Sequence, residues 1–530
     1  MKNKLKSKIT SRNKIKTSEH IFALKVKTES NGLGALKTII VIALIALQAA
    51  ILVASYLFML AFFQWFLTLS IILTFVSCIH VLSSDYHGQA KATWVFFLLV
   101  AFAFGYIMYF LSDKRVLFRK SRKKYNKIIK KNFGLQEKSN LDQILDRDIK
   151  TNCQYLETAG NFKTHFNSKT TYYQSGASLF DEIIEQIDLA NEFIFIEYFI
   201  ISDGVLLNRL LNVLSKKAAS GVDVRIIYDD MGSHGTLSRK TKKTILQAGI
   251  KLIAFNRLVP IFNIALNLRN HRKIVVIDGK VSFTGGANLA DEYINEKRMH
   301  GYWKDSGIKI EGPATDNFTI AFLNEWQFLT NEKINFNKYL NKSQGYNTNG
   351  EICTPFVSGP NYSFSIAQNM YANQISNAKE KLYIMTPYFV PDETITNLII
   401  NKARSGVDVR IILPEIADKK FVYVVSRSNA EKLISHGIKL YTMKSSFVHS
   451  KVVFTESSAI VGSINIDLRS FNQQFESAVF LNQKSTLSAI ESDFEYTFSR
   501  SLEITDKNKR RNYLHYRILS GLFTLISPFM

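Results

Sequence analysis

Cysteine is scarce: Cys78, Cys153 and Cys353 are the only three in 530 residues, with no C-x-x-C pair and no metal-ligand spacing. Nothing here requires a disulfide framework or resembles a zinc module. Cys78 lies in an apolar run, where packing is a thiol's ordinary role. Also missing are G-x-x-x-x-G-K-S/T, G-x-S-x-G and H-E-x-x-H. Nucleotide hydrolysis, serine acyl transfer and zinc proteolysis therefore lack their usual markers.

Charge is absent over long stretches. No Asp, Glu, Lys or Arg occurs in the 47 residues 38–84 or in the 20 residues 93–112. At about 20 residues per helical crossing, the first is long enough for two membrane spans and the second for one. A signal peptide has a single short apolar core, and 38–84 is too long for that. The competing reading, helices buried in a soluble core, is disfavoured by such length without charge. We expect a multi-pass protein of the cell membrane.

Acids are missing from 114–131, which holds ten Lys and Arg, and nearly missing from 1–27, which holds nine against one acid. Of the net charge of +23, only +5 belongs to the rest of the chain. A nucleic-acid groove would carry its charge within the folded domains, so no nucleic-acid partner is expected. Basic clusters beside a membrane segment attract anionic phospholipid, by about 1 kcal/mol per residue. They also act simply as topology determinants, and the two roles are compatible. Positive-inside preference puts both clusters, and with them the catalytic region, in the cytoplasm, which requires an even number of crossings. Either 38–84 is one tilted span plus an interfacial piece, or 93–112 does not cross.

What the chain does have is a repeat. Asn270-His271-Arg272-Lys273 leads through a β-rich run to Asp278 and then Gly285-Gly286-Ala287-Asn288. His449-Ser450-Lys451 leads likewise to Glu456 and then Gly462-Ser463-Ile464-Asn465. Ser220-Gly-Val-Asp-Val-Arg-Ile-Ile227 recurs letter for letter 185 positions later, Gly249-Ile-Lys-Leu252 recurs 188 positions later, and the two histidines lie 178 apart. Near-constant offsets of this length indicate two homologous halves, not a solenoid. In the first half, strands are expected at 192–199, 222–228, 251–255 and 273–277, with helices at 205–219 and 239–248. That alternation argues for α/β units built on mostly parallel sheets. A His and a Lys two apart on a strand point to one face, so both can reach one phosphate.

Two imidazoles, two ammoniums and two amides are equipment for phosphoryl transfer. A neutral imidazole attacks phosphorus, and a protonated one supplies the departing alkoxide with a proton. Lys273, Lys451, Asn288 and Asn465 would surround the non-bridging oxygens, so neither metal nor cofactor is called for. Asp305 and Glu476 would orient the imidazoles by hydrogen bonding.

The paired motifs resemble those of the phospholipase D superfamily. The wider text is similar to the bacterial cardiolipin synthase family: 270–278 with 285–293, Tyr302-Trp303-Lys304-Asp305, Glu311-Gly312-Pro313, Ser358-Gly359-Pro360, Pro387-Tyr388-Phe389-Val390-Pro391, 462–470 running into Phe475-Glu476, and Ser527-Pro528. The resemblance implies an α/β fold of two pseudo-symmetric phospholipase D-like α-β-α domains preceded by transmembrane helices. On this reading 1–37 is a basic arm, 38–112 the membrane region, 113–150 a basic linker, 151–345 and 346–505 the two domains, and 506–530 an apolar C-terminal helix. It implies transfer of a phosphatidyl group from one phosphatidylglycerol to another, giving cardiolipin and glycerol. The catalytic set carried over is His271, Lys273, Asp278, His449, Lys451 and Glu456. The first-motif histidine commonly attacks in the superfamily, while the reverse assignment is chemically open. Another superfamily transferase or a hydrolase is the alternative activity. Nothing in the sequence sets an oligomeric state.

One departure stands out. Glu456 occupies the place of the family's Asp, and the turn after it is one residue shorter than after Asp278. The longer acid is expected to reach a similar place. At the C-terminus, 516–530 is too short to span, and a basic flank at 507–511 precedes it. It either lies on the membrane surface or packs Ile518, Leu522 and Leu525 onto the second domain.

Overall fold

The computed structural model describes residues 32–84, 88–112, 119–257 and 268–526; the N-terminal basic arm, the start of the second basic cluster and Ser527-Pro528 lie outside them. The first half builds a seven-stranded sheet in the order Lys169–Tyr173, Gly307–Glu311, Val281–Gly285, Lys273–Ile277, Phe193–Tyr198, Asp223–Asp229, Lys251–Phe255. The second runs Cys353–Ser358, Gln474–Leu481, Ala459–Gly462, Val452–Thr455, Lys381–Met385, Asp408–Pro414, Lys439–Met443, then the added edge strand Ser501–Ile504. Strand for strand the two orders correspond, so the duplication is topological as well as textual.

The sheets are mixed, which corrects the mostly parallel expectation. In the first half only Phe193–Tyr198, Asp223–Asp229 and Lys251–Phe255 run parallel. These are the strands separated by helices, Val205–Ala219 and Arg239–Gln247. The motif strand Lys273–Ile277 pairs antiparallel on both sides. Its link to Val281–Gly285 is a three-residue turn, too short for the crossover that parallel strands need.

That turn explains the Asp-Gly pair of the first motif. Asp278 and Gly279 both have positive φ, 51° and 63°, the left-handed geometry for which Asp-Gly is suited. In the second half Thr455 donates its N–H to Ser458 across a turn of only two residues. Outside the sheets lie Thr315–Thr330 in the first half and Lys484–Ser499 in the second, and buried apolar side chains of both halves join in one core.

Ahead of the sheets stand two long helices, Gly32–Leu82 and Gly88–Ser112, packed on each other through Val81, Trp94, Leu98 and Tyr109. Among the described residues, one stretch, Gln64–Leu82, is long and apolar enough to cross a membrane; Ile42–Leu57 and Ala90–Ala101 are shorter apolar pieces. The basic run that follows forms a helix, Arg119–Lys131. It docks on both halves: Asn132 donates to the Asn324 side chain, and Arg122 and Asn126 donate to the carbonyls of Asn361 and Tyr362.

Candidate active site

The site forms where each half lends a short strand to the other. Arg269–Asn270 pairs in parallel with Gln474–Leu481, setting Asn270 opposite Phe475. One residue further, His271 meets Glu476, and Nδ1 lies 3.0 Å from each carboxylate oxygen. Tyr302–Lys304 pairs in parallel with Ser446–Val448, setting Val448 opposite Lys304. One residue further, His449 meets Asp305, with Nδ1 2.7 Å from Oδ2. The backbone repeats the exchange: His271 N–H donates to the Phe475 carbonyl at 2.8 Å, and His449 N–H to that of Lys304 at 2.7 Å. Each imidazole is thus oriented by an acid of the opposite half. Engaging Nδ1 leaves Nε2 as the nitrogen that can meet phosphorus.

The lysines turn back on their own histidines. Lys273 Nζ donates to the His271 carbonyl at 2.7 Å, and Lys451 Nζ donates to the His449 carbonyl and lies 2.9 Å from His449 Nδ1. All four basic groups and both acids are buried. Burial, reinforced by the neighbouring cations, pushes both imidazoles well below their ordinary value, so each is neutral in the free site. Burial also lowers Lys273 to about 7 and Lys451 to about 8, and raises Asp305 to about 6 and Glu476 to about 8. An arriving phosphodiester anion reverses that field. It favours the charged form of every one of these bases.

Two predicted site residues lie elsewhere. Asp278 accepts the backbone N–H groups of Asn191, Glu192 and Phe193 at 2.8, 2.8 and 2.9 Å. Glu456 accepts those of Lys379, Glu380 and Lys381 at 3.0, 3.2 and 3.0 Å. Both sit past the far end of the motif strand and tie it to the start of the adjacent one. The extra methylene of Glu456 compensates for the shorter turn.

The asparagines differ. Asn288 is engaged, accepting from Ile200 N–H and donating to Tyr293 Oη at 2.6 Å. Asn465 is buried with its side-chain oxygen unpartnered.

Several contributors escaped the sequence reading. A Cβ on Gly286 would stand 2.2 Å from Asp305 Oδ1 and 2.8 Å from the His449 carbonyl, so only glycine fits there. At the equivalent place Ser463 uses its hydroxyl to hold Glu476. Thr284 and Ser477 join the halves hydroxyl to hydroxyl at 2.9 Å. The Gly-for-Ser exchange inside an otherwise repeated motif was the available signal.

Residues 183–306 and 371–498 match the family described as cardiolipin synthase, PLD-like domain. A cardiolipin synthase of Halalkalibacterium halodurans is 30% identical, over 84% of this chain and 90% of its own length. One from Staphylococcus aureus is 30% identical, over 83% and 92%. An uncharacterized protein of Streptococcus mutans is 36% identical over 71% of this chain and 82% of its own. Among solved structures, the phosphatidylserine synthase of Haemophilus influenzae has the same fold, with a TM-score of 0.56 at 15% identity, covering 72% of this chain and all of that one.

Proposed function

The chain belongs to the cardiolipin synthase family and is a phospholipid phosphatidyltransferase, and on that premise we propose that it makes cardiolipin from two phosphatidylglycerols through a phosphohistidine. His271 Nε2 attacks the phosphorus of the first lipid, and the bond to its terminal glycerol breaks. His449, protonated, passes its proton to the glycerol oxygen. A hydroxyl of the second phosphatidylglycerol then gives a proton back to His449 while its oxygen displaces the imidazole of His271. Cardiolipin and glycerol leave, and both histidines return to their starting state. Lys273, Lys451, Asn465 and the second amide hydrogen of Asn288 steady the charge on the non-bridging oxygens. Asp278 and Glu456 act at a distance by fixing the ends of the motif strands.

The observation that carries this reading is the reciprocal pair of imidazole–carboxylate contacts, His271 with Glu476 and His449 with Asp305. Asp305, raised by burial to about 6, keeps a charge that would stabilise an imidazolium on His449.

The membrane supplies the acceptor. Gln64–Leu82 is long enough for one crossing, and Gly88–Ser112 would have to return across the membrane for both basic clusters and the catalytic region to lie on the cytoplasmic side. At the other end of the chain, helix Leu514–Ile526 packs on the second domain, but not through Ile518 and Leu522 as the packing alternative expects. Tyr516 is buried, with its hydroxyl on the Val424 carbonyl, and Phe523 packs on Phe421, whereas Leu514, Ile518 and Leu522 are 69%, 55% and 56% exposed. The side chain of Leu525 lies outside the described residues. This helix abuts Gly88–Ser112, so its outer face continues the apolar surface of that helix into the headgroup region. A locally high concentration of lipid hydroxyl lets it outcompete water for the phosphohistidine.

Detergent-solubilised full-length protein given labelled phosphatidylglycerol alone should yield cardiolipin and free glycerol, with EDTA and without nucleotide. Phosphatidic acid as the sole lipid product would make it a hydrolase instead. Truncation after Arg511 should lower turnover on bilayers more than on a short-chain soluble phosphodiester. Equal losses, with a lower melting temperature, would confine the last helix to packing.

A further inference from the structure

The basic run 119–131 reads in sequence as an arm attracted to lipid, yet its helix reaches the interior of the catalytic unit. We infer that Tyr125, on that helix, is a positioning residue for His271; the inference rests on the reading that His271 attacks phosphorus. The residues flanking His271 are fixed by two buried acids. Glu325 accepts from Arg272 Nη1 at 2.6 Å and from Asn270 Nδ2 at 3.0 Å. Glu197 accepts from Asn270 Nδ2 at 2.6 Å and lies 3.6 Å from Arg272. Asn270 in turn accepts the Arg272 N–H at 3.1 Å, closing a loop around His271.

Two buried acids thus share one guanidinium, and neutral donors supply the rest of their hydrogen bonds. Asn270 is one. Tyr125 is the other: its hydroxyl donates to Glu325 Oε2 at 3.1 Å, on the same oxygen that Arg272 holds. Tyr125 also meets His271 from a second direction. Its ring lies 6.0 Å from that of Phe475, edge to face, and Arg272 stacks 5.3 Å from the same ring. Phe475 carries the carbonyl that accepts His271 N–H and precedes Glu476. One side chain from outside both sheets therefore supports both the strand before His271 and the strand that orients its imidazole. Without the hydroxyl, buried Glu325 has a donor missing, and Arg272 would shift towards it. A displacement of this kind, of about an ångström at the nucleophile, costs up to about a hundredfold in rate.

The test compares full-length wild type, Tyr125→Phe and Arg122→Ala in mixed micelles containing phosphatidylglycerol. Arg122 lies on the same helix and donates to the carbonyls of Asn361 and Tyr362. Tyr125→Phe should lower kcat about tenfold to a hundredfold, leave KM within about twofold and barely move the melting temperature. Arg122→Ala should lower the melting temperature without a selective loss of kcat. An unchanged kcat in Tyr125→Phe, or parallel losses of kcat and melting temperature in both single variants, would overturn the inference and reduce the helix to a clamp between the halves. A wild type that transfers no phosphatidyl group would remove the functional reading, and this inference with it.

Discussion

Asn270, His271 and Arg272 of the first half stand in the places of Val448, His449 and Ser450 of the second, and the exchange changes what each histidine rests against. His271 is gripped through its neighbours by Glu197, Glu325 and Tyr125, a buried network of charge. His449 has apolar and small neighbours, and the Ser450 hydroxyl is buried without a partner. Rings surround it instead: Tyr293, Trp303 and Phe447 lie with centroids 5.3, 5.6 and 5.7 Å away. A nucleophile must hold its line of attack to a fraction of an ångström. A proton carrier needs mainly a dry sleeve and an acid to share its charge with. On the proposed roles, the duplicated frame serves two unequal tasks.

The largest effects should fall on the histidines themselves. His271→Ala should abolish turnover, whereas His449→Ala should cost about 10²–10⁴-fold, the usual worth of general acid–base catalysis. Equal residual rates in the two variants would argue against distinct roles. Next come the equivalent positions Gly286 and Ser463. Gly286→Ala drives a methyl into Asp305 and the His449 carbonyl and should lose more than tenfold in kcat along with about 2–4 kcal/mol of stability. Ser463→Ala removes one hydroxyl from buried Glu476 and should cost about 1–3 kcal/mol. Thermal unfolding with steady-state rates separates the two.

How far could the sequence carry this comparison? The strands at 251–255 and 273–277 were legible to the residue, because short β-branched runs bounded by turns leave few alternatives. Asp305 and Glu476 were legible as the acids that orient the imidazoles. Which acid serves which histidine was not: that follows from a parallel register between segments 205 and 144 residues apart. Nor was Tyr125, hidden in a run of lysines and arginines and joined to Glu325 across 200 residues. The repeat itself invited treating Asp278 and Glu456 as part of the chemistry, since spacing along a strand does not say at which end the reaction lies.

Smaller effects sharpen the comparison. With Lys273 near 7 and Lys451 near 8, kcat/KM for an anionic lipid should fall as pH rises through 7 to 8, because each lysine loses its charge in the free enzyme. A flat profile to pH 10 would mean that the lysines keep ordinary values. Smallest should be the strand-end acids. Asp278→Ala should destabilise by about 1–3 kcal/mol, leaving the buried Phe193 N–H unanswered, and the half-exposed Glu456→Ala by about 1 kcal/mol, as water replaces its carboxylate. Both should keep near-normal KM.

The division of labour is tested most directly by trapping the covalent intermediate. His449→Ala protein mixed with phosphatidylglycerol labelled in its phosphatidyl group, quenched in alkali and digested, should retain label on the peptide bearing His271. Release should be slowed more than formation. Label on His449 in the His271→Ala protein, with none on His271 in the other, would reverse the assignment and contradict the account.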